Sequence, residues 1–118
     1  VDALIKISDR GYLGESYNIG SKNELTNNDI VNSICSIAQK VLDKNFNYTS
    51  LIEYVDDRPG HDFRYAMDTS KINEELNWIN KIDFKDGILS TFLWYSDNEK
   101  WISECLKKSD VLKRQGVI

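Results

Sequence analysis

The chain has 118 residues, 41% of them hydrophobic and 29% charged, with a net charge of −4. That is enough for one modest core, and the acidic balance excludes nonspecific nucleic-acid binding as its business. No apolar run approaches the roughly 20 residues that span a bilayer, no signal peptide is evident, and two cysteines lack disulfide-framework or metal-ligand spacing. A reducing cytoplasm is the expected setting, and neither a membrane nor a metal is expected. The chain opens on Val1-Asp2-Ala3-Leu4-Ile5 without an initiating methionine. It is already in a helical pattern there, as expected of a piece of something longer.

Val1, Leu4, Ile5 and Ser8 recur at helical spacing, and Gly11 offers a left-handed terminating position. Ser16-Tyr17-Asn18-Ile19-Gly20 reads as a short strand, with Asn18 as an ordinary strand residue whose side chain is directed at backbone. Thr26 to Asp29 forms a capping-box pattern. The helix it opens carries Ile30, Val31, Ile34, Ile37, Ala38, Val41 and Leu42 on one stripe, the clearest amphipathic pattern in the chain. Cys35 beside that stripe is expected to be a small core residue rather than a nucleophile.

Asn45 to Ser50 is a polar connection, and Leu51-Ile52-Glu53-Tyr54-Val55 reads as a strand. Then comes Asp56-Asp57-Arg58-Pro59-Gly60-His61-Asp62, with the chain's only proline and only histidine. Pro59-Gly60 predicts a sharp turn, since proline presets φ and glycine accepts a positive one. Two readings compete for it. In one, Arg58 pairs with Asp56, Asp57 or Asp62 in a surface turn. In the other, Arg58 and His61 present donors to an anion such as a phosphate.

Phe63 to Ala66 alternates like a third short strand. Asp68 is expected to cap a helix with Ile72 and Leu76 inward, closed by Trp78 as a core anchor. Asp83 to Asp86 repeats the capping logic before a helix bearing Ile88, Leu89, Phe92, Leu93 and Tyr95, an aromatic stripe expected to be core. A last helix carries Trp101, Ile102, Cys105 and Leu106. The basic tail with Lys113-Arg114 is expected to be solvated. The fold class is α/β or α+β-like: four or five helices around a few short strands.

Asp57-Arg58-Pro59-Gly60-His61-Asp62 followed by Arg64-Tyr65-Ala66 resembles the RPGHD-x-RYA signature of dTDP-glucose 4,6-dehydratases, which are extended short-chain dehydrogenase/reductases. Tyr17-Asn18-Ile19-Gly20 and Asp68 to Trp78 resemble further segments of that family, so the similarity runs over nearly the whole chain to about Trp101. The resemblance implies that residues 1–118 are a C-terminal nucleotide-sugar-binding domain. NAD would be bound by an N-terminal Rossmann half outside this sequence, and the full-length enzyme would be a homodimer acting on dTDP-glucose in deoxysugar biosynthesis.

The resemblance also implies that Arg58 and His61 contact the nucleotide's phosphates. Asn27 would bind substrate at a helix start, where free amides and the dipole suit a phosphate. Asp57, Pro59 and Gly60 would shape the loop. No catalytic residue is expected here: the sequence has no glycine-rich dinucleotide loop and no Tyr-x-x-x-Lys pair, Tyr54 being followed at that spacing by Arg58 and Tyr95 by Glu99. The family's substrate-contacting tyrosine near the C-terminus has no counterpart in Ser109 to Ile118. The alternatives are another nucleotide-sugar epimerase or decarboxylase of the superfamily, or a noncatalytic interaction domain.

Overall fold

A computed structural model describes residues 1–107. The expectations for the tail, including Lys113-Arg114 and the missing tyrosine, lie outside the described residues. Among these, the chain forms five α-helices and one 3-10 turn in two compact units, each assembled from two stretches of sequence.

The first unit comprises Val1–Glu24 and Arg64–Asp83. Helix α1 (Asp2–Arg10) packs on α3 (Ser70–Leu76). Its core is Ala3, Ile72 and Leu76, with Ile7, Tyr17 and Trp78 against it. Ile72 and Leu76 thus face inward as their spacing predicts, and Trp78 joins them partly buried.

The α1 face is a correction. Ala3 and Ile7, one turn apart, point inward, while Leu4 and Ile5 are 61% and 62% exposed. The small Ala3 allows close approach of α3, whereas a stripe counted by hydrophobicity alone selects the bulkier residues. Gly11 is corrected too. Its φ of −67° is extended, not left-handed. A glycine is needed there for space, because an added Cβ would lie 2.5 Å from the Ile7 carbonyl oxygen.

A polar clasp closes this unit. The Tyr17 hydroxyl donates to Glu75 Oε2 (2.7 Å) and accepts from the Tyr12 amide (3.2 Å). Lys71 pairs with Glu15 and lies 5.1 Å from the Tyr17 ring centroid. The bond to Glu75 raises the Tyr17 hydroxyl above its ordinary range, and the bond to Lys71 lowers Glu15. Asn18 donates to the Asp68 carbonyl (3.1 Å), the backbone-directed role expected of it. Asp68 accepts from the Ser70 amide and hydroxyl at the start of α3, but the N-cap position belongs to Thr69, whose side chain makes no capping bond, so the expected Asp68 cap is displaced by one residue. Asn77 ends that helix in the left-handed conformation, φ 50°.

The second unit comprises Leu25–Phe63 and, among the described residues, 84–107. Helix α2 (Asn27–Val41) packs against α4 (Phe84–Asp97) and against the 3-10 turn Tyr48–Leu51, and α4 against α5 (Glu99–Lys107). The Thr26–Asp29 capping box is formed in full. Cys35 is partly buried, with its Sγ on the Tyr48 carbonyl (3.4 Å), in the structural role expected of it. Only Ala38 of the α2 stripe is fully buried; Val31, Ile34 and Val41 stay more than one-third exposed. The α4 stripe is also shallower than expected: no α4 residue is fully buried, and Trp94, Tyr95 and Trp101 form an exposed edge-to-face cluster.

The three expected strands, at 16–20, 51–55 and 63–66, do not form among the described residues. Alternation and β-branching report what a side chain prefers, whereas a strand exists only when its backbone finds a ladder partner. Leu51 belongs to the 3-10 turn, and Tyr54 is 82% exposed. The helical half of the expected architecture is present and the sheet is not.

Candidate functional site

The residues between the 3-10 turn and α3 carry the candidate site. Arg58-Pro59-Gly60-His61 is a tight turn closed by the His61 amide on the Arg58 carbonyl (3.3 Å), with Gly60 at φ +72°. Proline second and a positive-φ glycine third is the chemistry of a type II turn. No atom lies within 4 Å of where a Gly60 Cβ would stand, so glycine is needed for its backbone and not for space.

Asp57 knots the turn from outside. Its Oδ1 accepts from the Arg58 amide (2.8 Å) and lies 2.6 Å from His61 Nδ1. The bond to His61 holds the Asp57 carboxyl below the usual carboxylate range. The ring is the more sheltered partner, its side chain 31% exposed against 73% for Asp57. Asp57, Arg58, Pro59, Gly60 and His61 are thereby brought together in five consecutive residues. The role of Asp57 as the hydrogen-bond partner of His61 was not read from the sequence. The signal available was its spacing: a turn centred on Pro59-Gly60 folds position 61 back toward position 57.

Asn27 stands on a different element, as the first residue of α2. By helix geometry its amide and that of Asn28 have no intrahelical acceptor, while the Asp29 amide is taken by Thr26 Oγ1 (3.1 Å). Asp29 already brings a carboxylate to this end, hydrogen-bonded by Thr26 and held below its ordinary range. An anion at Asn27 would meet that charge as well as the dipole. Arg64, in the motif's second half, pairs with Glu24 through Nε (2.8 Å) and its terminal nitrogen. Its job here is to tie two stretches of the first unit together.

A cleft of about 380 Å³ opens in the first unit, lined by Lys22, Glu24, Tyr65 and Met67 among others. None of the candidate residues lines it or the larger cleft beside Thr69, Asn73 and Ile79, so the candidate site is a surface turn rather than a hollow. Among the described residues no cluster of histidine, cysteine and carboxylates could hold a metal ion, and no helix is long and apolar enough to cross a membrane.

Residues 7–91 match the model of the GDP-mannose 4,6 dehydratase family. The chain is 41% identical to dTDP-glucose 4,6-dehydratase of Escherichia coli, over 98% of its own length and 33% of that protein's. It is 39% identical to dTDP-glucose 4,6-dehydratase of Neisseria meningitidis serogroup B, over 97% and 33%. Its structure is similar, at a TM-score of 0.70 and 38% identity, to that of dTDP-glucose 4,6-dehydratase from Bacillus anthracis str. Ames in complex with NAD, covering 85% of this chain and 29% of that one. The chain therefore spans about a third of the length of the curated relatives it matches. With the RPGHD turn, the YNIG segment and this match in hand, the chain belongs to the GDP-mannose 4,6 dehydratase family, with dTDP-glucose 4,6-dehydratases among its relatives.

Proposed function

We propose that this chain is the C-terminal, nucleotide-sugar-binding portion of a dTDP-glucose 4,6-dehydratase, a lyase of deoxysugar biosynthesis. The observation that carries this reading is the knotted turn, which sets Arg58 beside His61 on a backbone preorganised by Pro59 and Gly60. A guanidinium fork and an imidazole three residues apart match the spread of oxygens on a diphosphate. Asn27, at the start of α2, completes the grip with an amide side chain and free helix amides.

The dinucleotide does not fit the residues present. A Rossmann cradle needs a strand, a glycine-rich loop and a helix in succession, and the described residues contain no strand. NAD and the acid/base groups belong to the remainder of a full-length enzyme, which we read as a homodimer with an N-terminal Rossmann half. The 118 residues hold the substrate's diphosphate, and by themselves they bind no NAD and dehydrate no sugar.

Titrating dTDP into the isotopically labelled chain and following backbone amides tests this reading. Perturbations clustered at Asn27 and at 57–61 are expected. Perturbations confined to the Lys22–Tyr65 cleft would move the site to the first unit. Turnover of dTDP-glucose by the pure chain would overturn the division of labour.

A further inference from the structure

An anion oxygen held by His61 Nε2 requires a proton on that nitrogen. Asp57 Oδ1 lies 2.6 Å from the other ring nitrogen, Nδ1. An ionised carboxylate has only acceptors, so Nδ1 supplies the hydrogen in this bond. A neutral ring then has a bare lone pair at Nε2, which a phosphate oxygen repels. Only the imidazolium donates from both nitrogens at once.

We propose that Asp57 is a positioning residue that fixes His61 with Nδ1–H toward the carboxylate and supports the doubly protonated ring. Binding of a diphosphate then draws one proton from solvent onto Nε2. This rests on the diphosphate reading above and assigns Asp57 a part beyond shaping the loop. The balance is simple: one N–H bond forms at Nε2, the proton comes from water or buffer, and no other bond changes.

The surroundings set the size of the effect. The charged residues within five positions of His61 in the turn are Asp56, Asp57, Arg58, Asp62 and Arg64, and of these Asp57 is the carboxylate in direct contact with the ring while Arg64 is paired with Glu24. The carboxyl is held below the ordinary range by the same bond, so it is ionised across neutral pH. Because the ring is two-thirds sheltered while the carboxylate is mostly in water, the pair is oriented but not isolated from solvent.

The histidine is the only one in the chain, so its ring signals need no assignment. The probe is dTDP-glucose, each of whose phosphates carries one ester and one anhydride bond and so does not titrate near neutrality. Ring ¹⁵N spectra of the ligand-free chain in mild alkali should show the Nδ1–H tautomer. Saturation with the probe at neutral pH should convert the ring to imidazolium. Affinity should fall toward about tenfold per pH unit on the alkaline side, as coupling to one proton requires.

Asp57→Asn keeps an acceptor for Nδ1–H but removes the charge. At about pH 5.5, where an ordinary imidazole is already cationic, its affinity should stay within about twofold of the wild type. At about pH 8, where the wild type must take up the proton on binding, the variant should be clearly weaker than the wild type, beyond the roughly twofold margin allowed at about pH 5.5. A role confined to holding the loop would weaken both conditions alike, which would overturn the proposal. An Nε2–H tautomer in the ligand-free chain would overturn it without any variant. Binding that perturbs Arg58 yet shows no pH dependence would sink this inference and leave the diphosphate reading standing. Failure to bind at any pH would sink both.

Discussion

At the scale of single residues, the site depends on one glycine more than its composition suggests. Gly60 sits at φ +72° with open space where a side chain would go. Gly60→Ala should therefore cost backbone strain alone, about 1–2 kcal/mol of turn stability. Gly60→Asn should cost less, since asparagine tolerates this region. Hydrogen exchange at the His61 amide, which closes the turn, reads the difference; equal protection in Gly60→Ala and wild type would contradict it. The turn was legible in sequence because Pro59 and Gly60 encode its geometry locally. The partner of His61 was not. Asp56, Asp57 and Asp62 are chemically equivalent, and only the spacing across the Pro59-Gly60 turn, borne by the folded chain, singles out Asp57.

At the scale of elements, legibility followed the range of the interactions. Helix α2 starts where Thr26 and Asp29 predict, because a capping box is closed within four residues. Thr26→Ala should lower the stability of α2 by ~1 kcal/mol, and Thr26→Ser should restore most of it, as thermal unfolding followed by circular dichroism would show. The cap is also pH-sensitive. The Thr26 hydroxyl and amide depress the Asp29 carboxyl in the folded chain, so its contribution is complete above the unfolded value. It is lost as pH falls through the folded one. Helicity should therefore drop in acid below about pH 4, and less so in Asp29→Asn, which starts without the ionised cap. The strands failed for the converse reason. Residues 16–20, 51–55 and 63–66 have strand-like side chains, but pairing depends on distant backbone that no local pattern encodes. The α1 face failed because Ala3 is buried for its smallness, while hydrophobicity counting ranks it below Val1, Leu4 and Ile5.

At the scale of the whole molecule, the core is thin. Ala3, Ala38, Ile72 and Leu76 are the buried hydrophobic residues among those described, while Leu4, Ile5, Tyr54, Val55, Trp94 and Trp101 are all at least 46% exposed. With so few buried groups, each carries a large share of its unit's stability. Ile72 is 0% exposed, and Ile72→Ala should destabilise the first unit by ~2–5 kcal/mol. The indole signal of Trp78, which packs on that core, should lose its native position at lower denaturant than in the wild type. An unchanged midpoint would show that the α1–α3 contact contributes little.

The same thinness governs binding. A turn whose carboxylate is 73% exposed forms one wall of a site rather than an enclosure. Affinity for a nucleoside diphosphate should be weak, on the order of millimolar or about −4 kcal/mol, and should weaken further with salt. The central claim, that this turn grips a diphosphate, is tested most directly by the affinity of dTDP-glucose for the wild-type chain and for Arg58→Ala at low ionic strength. Loss of a charge-assisted hydrogen bond predicts a drop of about 1.5–3 kcal/mol, roughly one to two decades in Kd, with the fold otherwise intact. Equal affinities in the two proteins would contradict the account and leave Asp57, Arg58 and His61 as the architecture of a surface turn.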